Sequence, residues 1–417
     1  MATRFSFGVS IRMNKQCGNI MGALENSLAS EFRLRFVLIF CCVVFSLGHI
    51  SPGVQVRADD DPKKKVSAGW PVFRGNAQSS GVATTTLPAK LDVVWEFKVP
   101  QGGFEGTPLI VELPNGKKTV YAADMDGKLF SIDFATGEKN WEIKLGIGIA
   151  ASPAYQDGKI FVGDIDGFFH CVDTDGKLVW KIETGGEINS SANFFKGHVL
   201  FGSQDGKLYL LNVSDGKAIW ELETPDQIQC SATVAQNRAF VAGCDGFLHV
   251  IDLDQGKEVG SADIFSPTQS TPATFGDQVF FGTEQAEFVA VNWRNPKIDW
   301  SFVSEQGQAS VRGSAAVTSK QVVFGARNRA VYSLDRKTGK RNWSVTLKAK
   351  VESSPVIVGS RVFVGSTDGR FYEIELEKGE VTWEKQFNGG FLSSPAAAFG
   401  RLVIATDRGV VYCLGSK

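Results

Sequence analysis

Few side chains in this sequence are spaced so that they could act together. Beyond residue 58 the reactive types are His170, His198 and His249, with Cys171, Cys230, Cys244 and Cys413. None of them falls into the clustered spacing that a zinc site needs. His170 and His249 occupy a strand slot that holds Tyr209, Tyr332, Tyr372 and Tyr412 elsewhere, so they read as strand residues filling an aromatic position. Asp-x-Asp-Gly at 124–127 and 164–167 begins like a calcium loop but lacks the further ligands and the closing Glu, and turns are expected there. A Walker-type Gly loop and a Gly-x-Ser-x-Gly elbow are both missing, so phosphate cradling and serine-based acyl transfer have no carrier. Cys230 and Cys244 flank a hairpin turning at Gln236-Asn237 that should place 230 opposite 243; a cross-strand disulfide there stays open but is geometrically awkward. Cys171 and Cys413 are expected to be free, buried thiols.

The elements that would position any site repeat. A Trp slot recurs about every 41 residues, at Trp95, Trp141, Trp180, Trp220, Gly260, Trp300, Trp343 and Trp383. A small-residue strand opener keeps step with it, at 106–108, 151–153, 190–192, 230–232, 270–272, 313–315, 353–355 and 393–395. An Asp-Gly turn follows at Asp126, Asp166, Asp205, Asp245 and Asp368, relaxed to Arg408-Gly409 and lost at Gln285-Ala286 and Asn328-Arg329. Apolar residues alternate with period two in runs of five to seven between these turns, which means short antiparallel strands. Four strands per copy in eight copies predict an all-β, eight-bladed β-propeller over residues 91–417. The last copy stops before its Trp strand, while residues 91–99 form a Trp strand ahead of the first opener, so this N-terminal strand should close the ring inside the eighth blade. Each Trp can wedge between blades and bury on the order of 150–250 Å²; the Trp belt is therefore structural.

Residues 1–58 read as a signal peptide or signal anchor. Arg33 and Arg35 precede an apolar run from Phe36 to Leu47, and Val56-Arg57-Ala58 offers a cleavage site. Residues 59–90 form a lead-in segment. A periplasmic or secreted location in the cell envelope is expected, with membrane contact only through an uncleaved leader. The formal charge of −1 gives no electrostatic case for nucleic-acid binding. A monomer is expected.

The pattern small-x-Asp-x-x-x-Gly-Lys-x-x-Trp resembles the tryptophan-docking repeat of pyrroloquinoline-quinone (PQQ) type propellers, over residues 91–415. The lead-in Trp70-Pro71-Val72-Phe73-Arg74-Gly75 is similar to the opening of secreted propellers of that kind. The resemblance implies either of two activities. Family enzymes are quinoprotein alcohol dehydrogenases, which hold PQQ and Ca²⁺ over the ring centre with a catalytic Asp, calcium ligands, a stacking Trp and a vicinal Cys pair. Other members are non-catalytic scaffolds, notably the barrel-assembly lipoprotein of the outer membrane. Here the sole vicinal pair, Cys41-Cys42, lies in the leader, and the Trp residues beyond the belt are Trp70 and Trp293, the latter placed by its turn on the outer side. Copies of 38–46 residues leave no long insertions to wall an active site. The expectation is a scaffold without cofactor or metal that binds an envelope protein, with the outer-membrane assembly machinery as the implied partner. A PQQ/Ca²⁺ dehydrogenase and an envelope polysaccharide binder are the alternatives.

Blade topology places strand openers and second-turn residues at one end of the ring, around a funnel. The slot before each opener is Glu105, Ala150, Asn189, Gln229, Gln269, Arg312, Glu352 and Leu392, and the turns add Asp124, Asp164, Glu284, Arg327 and Arg329. Copies five and six lose the Asp-Gly turn and gain charge. Gln269, Glu284, Arg312, Arg327 and Arg329 are accordingly the expected partner-binding face, with Glu105, Asn189, Gln229 and Glu352 completing the rim. A double reversal, Arg312→Glu with Arg327→Glu, is expected to abolish binding and leave stability unchanged.

Overall fold

The computed structural model describes residues 69–305 and 309–417. The expected signal peptide or signal anchor, residues 1–58, and residues 59–68 lie outside the described residues. What is described consists of strands and turns, and no helix among the described residues is long and apolar enough to cross a membrane.

Eight sheets follow one another, each with four antiparallel strands ordered from an inner short strand to an outer one, and in blade seven the lead-in strand Val82–Ala83 adds a fifth, parallel to Val356–Val358. Blade one, for example, runs Leu109–Glu112, Lys118–Ala123, Lys128–Asp133 and Lys139–Lys144. The middle strands read apolar on both faces because each blade is packed between two neighbours; Lys159–Gly163 of blade two is buried at four of its five positions. The outer strand meets solvent and alternates, as in Leu178–Glu183. The ring closes as the repeat register required. Asp92–Lys98 pairs antiparallel with Val410–Gly415, with Trp95 opposite Cys413 and Glu96 opposite Tyr412.

The Trp belt joins successive blades through two contacts. Six of the seven belt indoles donate their N–H to a carbonyl of the next blade, among them Trp95 to Phe134 (2.9 Å), Trp141 to Thr174 (2.8 Å), Trp220 to Leu253 (3.0 Å) and Trp343 to Leu376 (2.8 Å). The ring face then lies on a glycine in the next blade's third turn, where an added Cβ would come within 2.7 Å of Trp95 from Gly137 and 2.5 Å of Trp300 from Gly339. At the joint between blades four and five the pair is inverted. Gly260 stands where Trp would, and Pro296 stands where the glycine would, 2.8 Å from a Cβ built on Gly260. Trp293 is not on the outer side, as its turn position predicts. It is 7% exposed, packs on Phe240 of blade four with ring centroids 5.5 Å apart, and donates from its indole to Gly276 O at 3.0 Å. The joint that lost its Trp from one side regains one from the other.

The lead-in is a strap that runs round the axis beneath the funnel and meets the blades in chain order. Trp70 exchanges backbone bonds with Ile110 of blade one. Tyr155 N donates to Pro71 O in blade two, and Asn193 Nδ2 to Ala77 O in blade three. Val234 N, Thr274 N, Val317 N and Ile357 N of blades four to seven donate to Ala77, Gln78, Ser80 and Gly81 carbonyls. Gly400 N of blade eight donates to Thr85 Oγ1. Innermost strands have one unpaired edge facing the channel, and the strap covers it. The lead-in motif gains its physical reason here. Arg74, 1% exposed, donates through Nη2 to Ala315 O (3.0 Å) and Pro355 O (2.5 Å). Gly75, at φ 88°, lies against the Trp70 ring, and a Cβ at Gly81 would fall 1.9 Å from the Arg74 Nη2.

Candidate binding funnel

The funnel is built from two tiers above the strap. The upper tier is the expected rim: Glu105, Ala150, Asn189, Gln229, Gln269, Arg312, Glu352 and Leu392 line one mouth of about 350 Å³. They converge because each precedes an opener whose chain enters at the axis. The neighbouring turns pin them; for instance Val311 N donates to Thr283 O and Val351 N to Ala326 O.

Arg312 and Glu352 of the rim are coupled across blade joints. Arg312 makes a bidentate pair with Glu284 of the preceding blade's turn, at 2.8 and 3.1 Å. One joint on, the signs are exchanged: Arg327 in the turn lies 2.8 Å from Glu352 on the rim. The double reversal would set like charges together at both joints, so the expectation that it leaves stability unchanged is corrected: it would lower stability. Next to this arc on the ring, Gln269 donates to Gln229 Oε1 at 3.0 Å. Arg329 takes the place of the turn glycine at φ 70°, outside the funnel lining. Glu105 has no ion-pair partner among the described residues, and burial together with the nearby Asp407 holds its carboxyl above the usual range.

Asp124 and Asp164 do not reach the funnel surface; they are 1% and 0% exposed and serve the turns. Asp124 Oδ1 accepts from Asp126 N and Lys128 N, and Asp164 Oδ2 contacts His170 Nε2 at 2.8 Å. The aromatic slot therefore carries a polar tip for a reason: Tyr209 OH donates to Asp205 and His249 Nε2 contacts Asp245, each across the same turn. The four cysteines among the described residues are free. Thr233 faces Phe240 and Ala235 faces Arg238, a register that sets Cys230 opposite 243 rather than Cys244. Burial pushes the Cys171, Cys230 and Cys413 thiols up to about 12, far from nucleophilic use.

The lower tier was not anticipated. Thr107, Ser152, Ser191, Ser231, Thr271, Ser314, Ser354 and Ser394 line a shaft of about 180 Å³, with Phe73 of the strap among its walls. Seven hydroxyls each accept the backbone N–H of the preceding blade's ring residue, from Thr107 N to Ser152 Oγ (2.8 Å) round to Ser354 N to Ser394 Oγ (3.0 Å). At the last joint Ser393 Oγ donates to Gly106 O instead, and Thr107 Oγ1 is buried without a partner. The signal was present in the sequence, because the middle residue of all eight openers is Ser or Thr.

A PQQ/Ca²⁺ site fits these residues poorly. The funnel walls supply no indole, Glu284 and Glu352 are held by arginines, and no group of three or more His, Cys, Asp or Glu among the described residues could hold a metal ion.

Eight blades joined by a belt of indoles around a hydroxyl-lined axis define a PQQ-type propeller. The family model for outer membrane protein assembly factor BamB matches residues 84–232 and 223–417, and the chain belongs to that family. It is 31% identical over 127 residues to outer membrane protein assembly factor BamB of Burkholderia pseudomallei, a span that covers 30% of this chain and 32% of the relative. It is 32% identical over 108 residues to the dehydrogenase subunit of a quinone-type alcohol dehydrogenase of Gluconobacter oxydans, covering 23% of this chain and 14% of that one. The chain thus spans a third or less of the length of these relatives. The crystal structure of BamB from Moraxella catarrhalis superposes with a TM-score of 0.65 at 17% identity, over 79% of this chain and 98% of the other, which is a likeness of fold.

Proposed function

We propose that the chain is a non-catalytic propeller scaffold of the cell envelope, free of quinone and metal, that holds a protein partner on its funnel face over blades five to seven. The relatives named as assembly factors support that class of role. The observation that carries the reading is Phe265. It stands 71% exposed in a left-handed backbone conformation, φ 57°, on the loop entering blade five. That loop is tied to the turn holding Glu284, since Glu284 N donates to Pro267 O and Gln285 N to Ser266 Oγ. A bulky aromatic held there costs of order 1–3 kcal/mol. Beside rigid charged pairs it has the character of an interface anchor, and a closed ring presents it without ordering cost on binding. Phe265→Asp is expected to abolish co-purification, under mild crosslinking, of the envelope protein captured by the unmodified chain, with no fall in Tm, since an exposed Asp tolerates the left-handed backbone better than Phe. Equal capture by the variant overturns the proposal.

The Gluconobacter dehydrogenase relative supports a second reading. Dye reduction by the chain with PQQ, Ca²⁺ and an alcohol or sugar would establish it in place of the first.

A further inference from the structure

We propose that the hydroxyl ring is a binding site for one small oxyanion, held on the propeller axis between the rim and the strap. Two independent features give the shaft this sign.

The first is the ring itself. Each of the seven engaged hydroxyls spends a lone pair on a backbone N–H and keeps its proton for a further acceptor. Accepting an N–H polarises a hydroxyl toward donating, so the ring presents donors to the axis from every side. Thr107 adds a hydroxyl that is 2% exposed and unpartnered in the same cavity. The second is Arg74. Its Nη2 binds the carbonyls of Ala315 and Pro355, the residues that directly follow ring members Ser314 and Ser354. Its Nε and Nη1 are buried without partners, and no carboxylate pairs with it among the described residues. Burial pushes its guanidinium down to about 9. A buried cation without a counter-charge is costly, and an anion in the neighbouring shaft would offset it through a medium of low dielectric. The cavity of about 180 Å³ admits a carboxylate, sulfate or phosphate group.

The mouth regulates entry. Glu352 is neutralised by Arg327, while Glu105 is left without an ion-pair partner and opposes a negative guest. The oxyanion can be a free ion or the terminal carboxylate of a peptide, and the test separates the two.

The test is calorimetric titration of the full chain at fixed ionic strength with sulfate, with inorganic phosphate, and with a short neutral peptide as its free acid and as its amide. One-site saturation by either free ion, or by the acid peptide and not the amide, is expected, and which of them saturates names the source. Thr107→Val removes a hydroxyl that supports no backbone group. It should weaken binding about tenfold, the loss of one charge-assisted hydrogen bond, with no fall in Tm; Glu105→Gln should tighten it. Absence of saturation with every titrant, or equal affinity in Thr107→Val, overturns the assignment. Partner capture at Phe265 can fail or succeed without bearing on either result.

Discussion

At the scale of residues, the rim shows how charge is used when a repeat is locally abandoned. Glu284 and Arg312 at one joint, and Arg327 and Glu352 at the next, are the same contact with its signs exchanged. Their side chains are 16–37% exposed, so solvent screens them and each pair contributes about 1 kcal/mol or less. Arg312→Glu should therefore lower Tm modestly by opposing Glu284. The exchanged double variant Glu284→Arg with Arg312→Glu should restore it, measured by calorimetry; failure of the restoration would mean that geometry rather than charge dominates the joint. The eight rim slots were legible in the sequence, because an opener repeated eight times fixes which residues precede it. Their pairing was not, since it depends on side chains some 25 residues apart reaching across a joint. The hydroxyl ring was equally visible as a column of Ser and Thr, but small residues at an opener look like packing until their bonds to the next blade are seen.

Among the elements, the joint between blades four and five is the instructive one. Seven copies of the Trp slot announced both blade count and register, and the structure follows them. The eighth, Gly260, could be located but not explained from sequence. Compensation comes from Pro296 and Trp293, which sit in a turn whose usual residues are Asp and Gly, so no single position carries the covariation. Trp293→Ala should cost about 3–5 kcal/mol, the range for emptying a buried aromatic site, and match Trp343→Ala in the regular belt. Chemical denaturation of the two variants compares them. A loss under about 1 kcal/mol for Trp293→Ala would return that residue to the periphery.

For the whole molecule, the strap makes eight separate joints part of one cooperative object. Starting the chain after Ala83 would leave the Tyr155, Val234, Thr274, Val317 and Ile357 N–H groups without their acceptors. At about 1 kcal/mol for each lost bond the cost is roughly 5 kcal/mol, to be read as a fall in Tm of that truncated chain. An unchanged Tm would show that water replaces the strap without loss.

Ring closure by Asp92–Lys98 against Val410–Gly415 also sets the order of biosynthesis. The ribosome delivers the closing strand early, yet its partner is made some three hundred residues later. Throughout translation of the intervening three hundred or so residues, an uncovered strand edge and the strap ahead of it must wait without committing to a wrong neighbour. Loop-closure entropy for so distant a contact is met only once Val410–Gly415 is available. Nascent chains stalled before Val410 should accordingly be the species most exposed to proteases and most in need of a holding chaperone.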